Sequence, residues 1–179
     1  MVPPRRFWMK DLKRIALTGF MGVGKSSVAR HLSYMLRCER IDLDDVIESN
    51  ERRKIAKIID TDGVEAYRLI ETQSLKQVLL NPNIRILSLG GGTWTTAENR
   101  ELIRSHGIIS VWLESSFNHC WNNIHFSKKD RPLARDKSSA LKLFDERQRM
   151  YCLADWHFIV KPDLTSYDVA RQIADEVFS

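Results

Sequence analysis

The chain has 179 residues, 43% hydrophobic and 28% charged, the balance of a single globular domain with a sizeable core. No apolar run approaches the ~20 residues a membrane helix needs, and the basic opening, with Arg5, Arg6, Lys10 and Lys13, lacks the apolar stretch of a secretory signal. A net charge of +5 suits anionic ligands, and the basic residues are spread along the chain, which argues against a nucleic-acid partner.

Residues 1–13 read as a basic N-terminal extension ahead of one domain over 14–179. Ile15, Ala16 and Leu17 form a first buried strand. It runs into Gly-Phe-Met-Gly-Val-Gly-Lys-Ser at 19–26, a phosphate-binding loop of the form G-x-x-x-x-G-K-[ST]. Val28, Leu32, Met35 and Leu36 then recur at helical spacing. A short strand at Arg40–Asp42 precedes a helix opened by Val46 and Ile47. Ile55, Ile58 and Ile59 line a further helix that Gly63 breaks. Tyr67, Ile70, Leu75, Val78 and Leu79 carry the next helix to the stop at Asn81-Pro82-Asn83.

Ile84–Leu89 reads as a buried strand running into Gly90-Gly91-Gly92, and Ile108–Leu113 as another. Phe117, Cys120, Trp121 and Ile124 mark an amphipathic helix with Ser115 as its cap. Residues 125–139, polar and basic, read as a mobile loop. Leu141–Tyr151 is helical, Phe158–Val160 is the last strand, and Ser166–Phe178 is the closing helix. Buried strands alternating with helices predict a parallel sheet covered on both faces, with ligands beyond the carboxyl ends of the strands.

Cys38, Cys120 and Cys152 are far apart, with no C-x-x-C and no paired histidines, so neither a zinc site nor a disulfide framework is expected. They read as reduced core thiols of a cytoplasmic protein. The absence of an exposed apolar stripe predicts a monomer.

In the phosphate loop, the backbone N–H groups of Gly22, Val23, Gly24, Lys25, Ser26 and Ser27 would cradle ATP phosphates at a helix N-terminus. Lys25 would reach the β- and γ-phosphates and Ser26 would ligate Mg²⁺. Asp42-Leu43-Asp44 ends the second strand, where alternation places both carboxylates on one side. One suits the water shell of Mg²⁺, the other a hydroxyl proton. A plain helix cap at Asp44 or Asp45 is the competing reading. The glycine triplet permits close backbone approach to a ligand. Arg68 and Arg147 are either solvated helix charges or a pair holding a small carboxylate by bidentate hydrogen bonds. Arg131, within Arg131-Pro132-Leu133, fits a loop arginine closing on the transferring phosphate. Lys128, Lys129 and Arg135 read as charges that keep the loop solvated.

The phosphate loop, Asp-x-Asp, Arg68 with Glu71, the glycine triplet, Asn99-Arg100, Arg131-Pro132-Leu133 and Arg147-x-x-x-Tyr151 resemble, in this order, the shikimate kinase family over residues ~14 to 178, the span a single P-loop domain predicts. The resemblance implies a three-layer α/β/α P-loop kinase with a lid about 125–139. It implies ATP and Mg²⁺ as cofactors and shikimate as acceptor, phosphorylated on its 3-hydroxyl. Asp44 then corresponds to the general base, Asp42 to the carboxylate near Mg²⁺, and Arg131 to the lid arginine. Arg68, Arg147 and the backbone of Gly90, Gly91 and Gly92 correspond to the acceptor-binding set, and Lys25 with Arg131 to the groups stabilising the transferring phosphoryl. The chain departs from the family at Val64, Ile59, Ala134 and Arg149-Met150. It also carries Ile124 at the usual adenine-stacking arginine. The alternatives are a related kinase with another hydroxy-acid acceptor and a catalytically silent ATP-binding relative. No Asn-Lys-x-Asp motif supports a GTPase.

Overall fold

The computed structural model describes residues 13–179, so the N-terminal extension lies outside the described residues except for Lys13. Three strands are nearly uninterrupted apolar runs: β1 (Ile15–Thr18), β3 (Ile84–Ser88) and β4 (Ile109–Glu114). Such strands demand cover on both faces, and they occupy the middle of a five-stranded sheet of order β2-β3-β1-β4-β5. All four pairings are parallel. The edge strands β2 (Glu39–Asp42) and β5 (Trp156–Ile159) are correspondingly more exposed.

Among the described residues eight helices connect and cover the sheet: α1 (Lys25–Leu36), α2 (Leu43–Glu51), α3 (Ile55–Asp62), α4 (Val64–Leu79), α5 (Ala97–Ser105), α6 (Phe117–Phe126), α7 (Lys137–Tyr151) and α8 (Ser166–Val177). The first helix packs against the last, and α2, α3 and α4 pack on one another. Val28, Ala29 and Leu32 of α1 meet the core formed with Val169, Ala170 and Ile173 of α8. Among the described residues no helix is long and apolar enough to cross a membrane.

Several local expectations change. Helix α5 and a 3-10 turn at Thr93–Thr95 follow the glycine triplet, where the sequence showed no helical period. The cap of α6 is Ser116, whose hydroxyl accepts from the His119 N–H, whereas Ser115 donates to the Val160 carbonyl beside β5. The predicted loop 125–139 is largely structured. α6 extends to Phe126, Pro132–Ala134 form a 3-10 turn, and Asp136 caps α7 through the Ser139 N–H. Of the three thiols only Cys120 is buried, and Cys152 is exposed.

Candidate active site

Strand β1 lies between β3 and β4, so the chain leaves its carboxyl end where the sheet order switches direction. The phosphate loop begins there. Gly22 has φ +81° and Gly24 φ +104°, conformations that side chains rarely tolerate, and a Cβ on Gly22 would also strike the Cys120 carbonyl oxygen at 2.5 Å. The loop is braced from α6 by Asn123, whose side-chain amide donates to the Gly22 carbonyl at 2.8 Å. Met21, Gly22, Gly24, Lys25, Ser26 and Ser27 line a cleft of about 940 Å³. Val23 instead buries its side chain in the core.

Lys25 is buried, and its ammonium donates to the carbonyls of Gly19 (2.7 Å) and Phe20 (3.1 Å). Burial pulls its pKa down from 10.5 to about 8, against the opposing pull of Asp44, Cys120 and Asp42. The Ser26 hydroxyl donates to Asp42 Oδ2 at 2.5 Å, which brings the two predicted metal-side oxygens together. Among the described residues no group of three or more His, Cys, Asp or Glu side chains could hold a metal ion by itself.

Asp42 and Asp44 both line the cleft, but not by strand alternation. Strand β2 ends at Asp42, and Asp44 stands in the first turn of α2. The helix cap is Asp42 itself, since its Oδ1 accepts from the Asp44 N–H at 3.1 Å, not Asp44 or Asp45. One carboxylate thus caps the helix with one oxygen and meets Ser26 with the other. Asp44 Oδ1 is buried without a hydrogen-bond partner, and Asp44 Oδ2 pairs with the Lys129 ammonium at 2.9 Å.

The glycine triplet lines the same cleft. It makes room for the protein's own side chains. A Cβ on Gly90 would lie 2.9 Å from Asp44 Oδ1, one on Gly91 3.1 Å from Arg147 Nη1, and one on Gly92 2.1 Å from Arg68 Nη2. Each glycine therefore faces one member of the predicted acceptor set. None of the three has a positive φ, so the requirement is for space.

Arg68 is held by Glu71 one helical turn along α4, Nη1 to Oε2 at 2.7 Å. Glu71 is fully buried and also accepts from the hydroxyls of Thr93 (2.7 Å) and Tyr67 (3.2 Å). The Asn99 amide donates to the Thr93 carbonyl at 3.0 Å, which ties α5 into the same network. Arg147 is buried on α7, and its Nη1 has no hydrogen-bond partner. Burial lowers its pKa, and the neighbouring Tyr151 pulls the other way. The Tyr151 hydroxyl donates to the Gly91 carbonyl, and burial pushes its pKa up to about 12. Arg147 also lines the cleft, and a buried guanidinium with an unsatisfied N–H suits an anion.

Arg131 opens the 3-10 turn over the cleft, with Nη1 donating to the Lys129 carbonyl at 3.1 Å. Burial lowers its pKa while Asp44 raises it. Lys129 and Arg135 are not merely solvated charges. Lys129 pairs with Asp44, and Arg135 bridges Asp60 of α3 (2.7 Å) and Asp130 (2.8 Å). Asp44 and Asp60 lie too far along the chain for spacing to reveal them. Ile124, at the expected position of an adenine-stacking arginine, is buried in the core.

A parallel sheet with a phosphate loop after its inner strand, facing one buried and one half-buried arginine and carboxylates beneath a basic segment, defines a P-loop small-molecule kinase. A family model described as shikimate kinase matches residues 21–178. The chain belongs to the shikimate kinase family. It is 36% identical to a shikimate kinase of Streptococcus thermophilus over 161 residues, 88% of this chain and 96% of the relative. A Sulfurihydrogenibium shikimate kinase is 34% identical over 80% of this chain and 86% of its own length. The solved Acinetobacter baumannii shikimate kinase in complex with shikimate superposes with a TM-score of 0.87 at 28% identity, covering 95% of each chain. A gluconokinase from Sinorhizobium meliloti, at 14% identity and a TM-score of 0.57, shares the fold alone.

Proposed function

We propose that this protein transfers the γ-phosphoryl group of ATP to the 3-hydroxyl of shikimate, giving shikimate 3-phosphate and ADP in aromatic amino-acid biosynthesis. The observation that carries the reading is the convergence of Asp44, Arg147 and Arg68 on three successive glycines, in one cleft with the phosphate loop. Two guanidiniums suit the acceptor carboxylate, and Asp44 suits a hydroxyl.

In this reading residues 14–179 form the catalytic unit, acting as a monomer in the cytoplasm. Lys25 exchanges the Gly19 and Phe20 carbonyls for phosphate oxygens, and the N–H groups of residues 22–27 hold the rest of the triphosphate. Ser26 and Asp42 are hard oxygen donors suited to Mg²⁺, Ser26 directly and Asp42 through water, where the ion would neutralise phosphate charge. The acceptor oxygen attacks phosphorus, the bond to the ADP oxygen breaks, and Asp44 takes the hydroxyl proton. Lys25 and Arg131 stabilise the charge that spreads over the transferring group.

The test is ADP release from MgATP with shikimate, beside gluconate and a panel of nucleoside monophosphates. Shikimate-dependent release is the expected result. Turnover with gluconate or a nucleotide instead would reassign the acceptor, and tight ATP binding with no turnover would mark a silent relative.

A further inference from the structure

The function proposed above leaves Lys129 unused, yet this side chain makes the one ion pair that Asp44 has among the described residues, 85 residues away along the chain. Asp44 has two oxygens in different settings. Oδ1 is buried against the backbone of Gly90 with no hydrogen-bond partner. Oδ2 is the oxygen left to receive a proton, and the Lys129 ammonium covers it at 2.9 Å.

Two further contacts hold Lys129 there. Arg131 donates to the Lys129 carbonyl at 3.1 Å, so the two residues are linked as one segment. Arg135 fastens the same segment to α3 through Asp60. The segment is thus tied down over the cleft, with its lysine on Asp44.

We propose that Lys129 is a positioning residue that occupies, on Asp44, the place of the acceptor hydroxyl, and so keeps the base from activating water until the acceptor displaces it. The inference rests on the reading of Asp44 as the base. The reaction it suppresses is complete in itself. Water attacks the γ-phosphorus, the bond to the ADP oxygen breaks, Asp44 accepts the proton of the water, and ADP and phosphate leave. With Lys129 on Oδ2 and Oδ1 buried, neither oxygen of Asp44 is open to that water. When shikimate enters, its hydroxyl replaces the ammonium, and the positive charge is released beside the transferring phosphate.

The test is ADP release from MgATP without acceptor, in the wild type, Lys129→Ala, Lys129→Met and Lys129→Arg, each also in an Asp44→Asn background. The Ala and Met variants are expected to raise acceptor-free release about fivefold or more, a fraction of what a general base contributes. Lys129→Arg should stay near the wild-type rate, and Lys129→Ala should give no rise once Asp44 is Asn. An unchanged acceptor-free rate in Ala and Met variants that melt like the wild type would overturn the proposal. So would a rise that persists in the Asp44→Asn/Lys129→Ala protein, because the effect would then not pass through Asp44. A wild type inactive with shikimate would refute the acceptor assignment instead, and the acceptor-free comparison would still report on Lys129.

Discussion

The Arg68 guanidinium lies against the α-carbon of Gly92 so closely that a Cβ there would stand 2.1 Å from Arg68 Nη2. Gly92 itself has φ −107° and ψ −9°, a conformation open to any residue. Gly92→Ala should therefore add no backbone strain, but the whole Arg68 guanidinium must move, including the Nη1 that pairs with buried Glu71, so stability should fall by about 1.5–3 kcal/mol. The displaced guanidinium should lose its hold on the acceptor carboxylate. A charge-assisted hydrogen bond is worth ~1.5–3 kcal/mol, which raises the shikimate KM roughly 10–100-fold. The ATP KM should stay within about threefold. Steady-state kinetics beside a thermal melt checks this, and an unchanged shikimate KM would remove Arg68 from the acceptor site.

Arg147 should show the opposite balance. It is buried with an unpartnered N–H, an arrangement that costs folding energy unless an anion completes it. Arg147→Met should raise the melting temperature of the ligand-free protein by about 2–4 °C, the effect of ~1 kcal/mol at this size. The same change should raise the shikimate KM about 100-fold or more. A lower melting temperature would mean that Arg147 is chiefly a structural residue held by Tyr151.

What the sequence discloses and what it hides have physical causes here. The inner strands are legible because a parallel sheet buries both faces, leaving apolar runs such as Ile84–Ser88 with one interruption at Arg85. The phosphate loop is legible because its glycines and lysine answer to local geometry. Helix α5 is not, since only Asn99 and Ile103 of its nine residues are buried and so thin a stripe carries no period. The cap of α6 differs from its expected position by one residue, because Ser115 and Ser116 are chemically alike and only the fold tells which one meets His119. The glycine triplet announces that something comes close, but not that Asp44, Arg147 and Arg68 are what comes. Lys129 looks like any solvated lid charge until the fold brings it to Asp44.

Asp44→Asn keeps the shape of the side chain and removes the proton acceptor. Shikimate-dependent kcat should fall ~10²–10⁴-fold, the usual contribution of a positioned general base. MgATP affinity, read by titration calorimetry, should remain within about threefold, since Ser26, Asp42 and the loop N–H groups are untouched. Turnover at the wild-type rate would show that another group takes the hydroxyl proton.

The pH dependence of nucleotide binding should report on Lys25. Burial lowers its pKa from 10.5 to about 8 in the ligand-free protein. The unfolded chain then binds more protons than the folded one between about pH 8 and 10.5, so this group makes the free protein more stable as pH rises through that window. Phosphate contact favours the charged form and pulls the pKa back up. Above pH 8 the complex therefore holds a proton that the free protein has lost, and MgATP binding should take one up. Affinity should fall as pH rises, approaching about tenfold per pH unit once Lys25 is mostly neutral in the free enzyme. Calorimetry near pH 9 in two buffers of different ionisation enthalpy measures the uptake directly. The uptake should vanish in Lys25→Met, whose free state should also melt higher below pH 8 because the buried charge is gone. Binding with no proton uptake in the wild type would mean that Lys25 is already fully charged before the phosphate arrives.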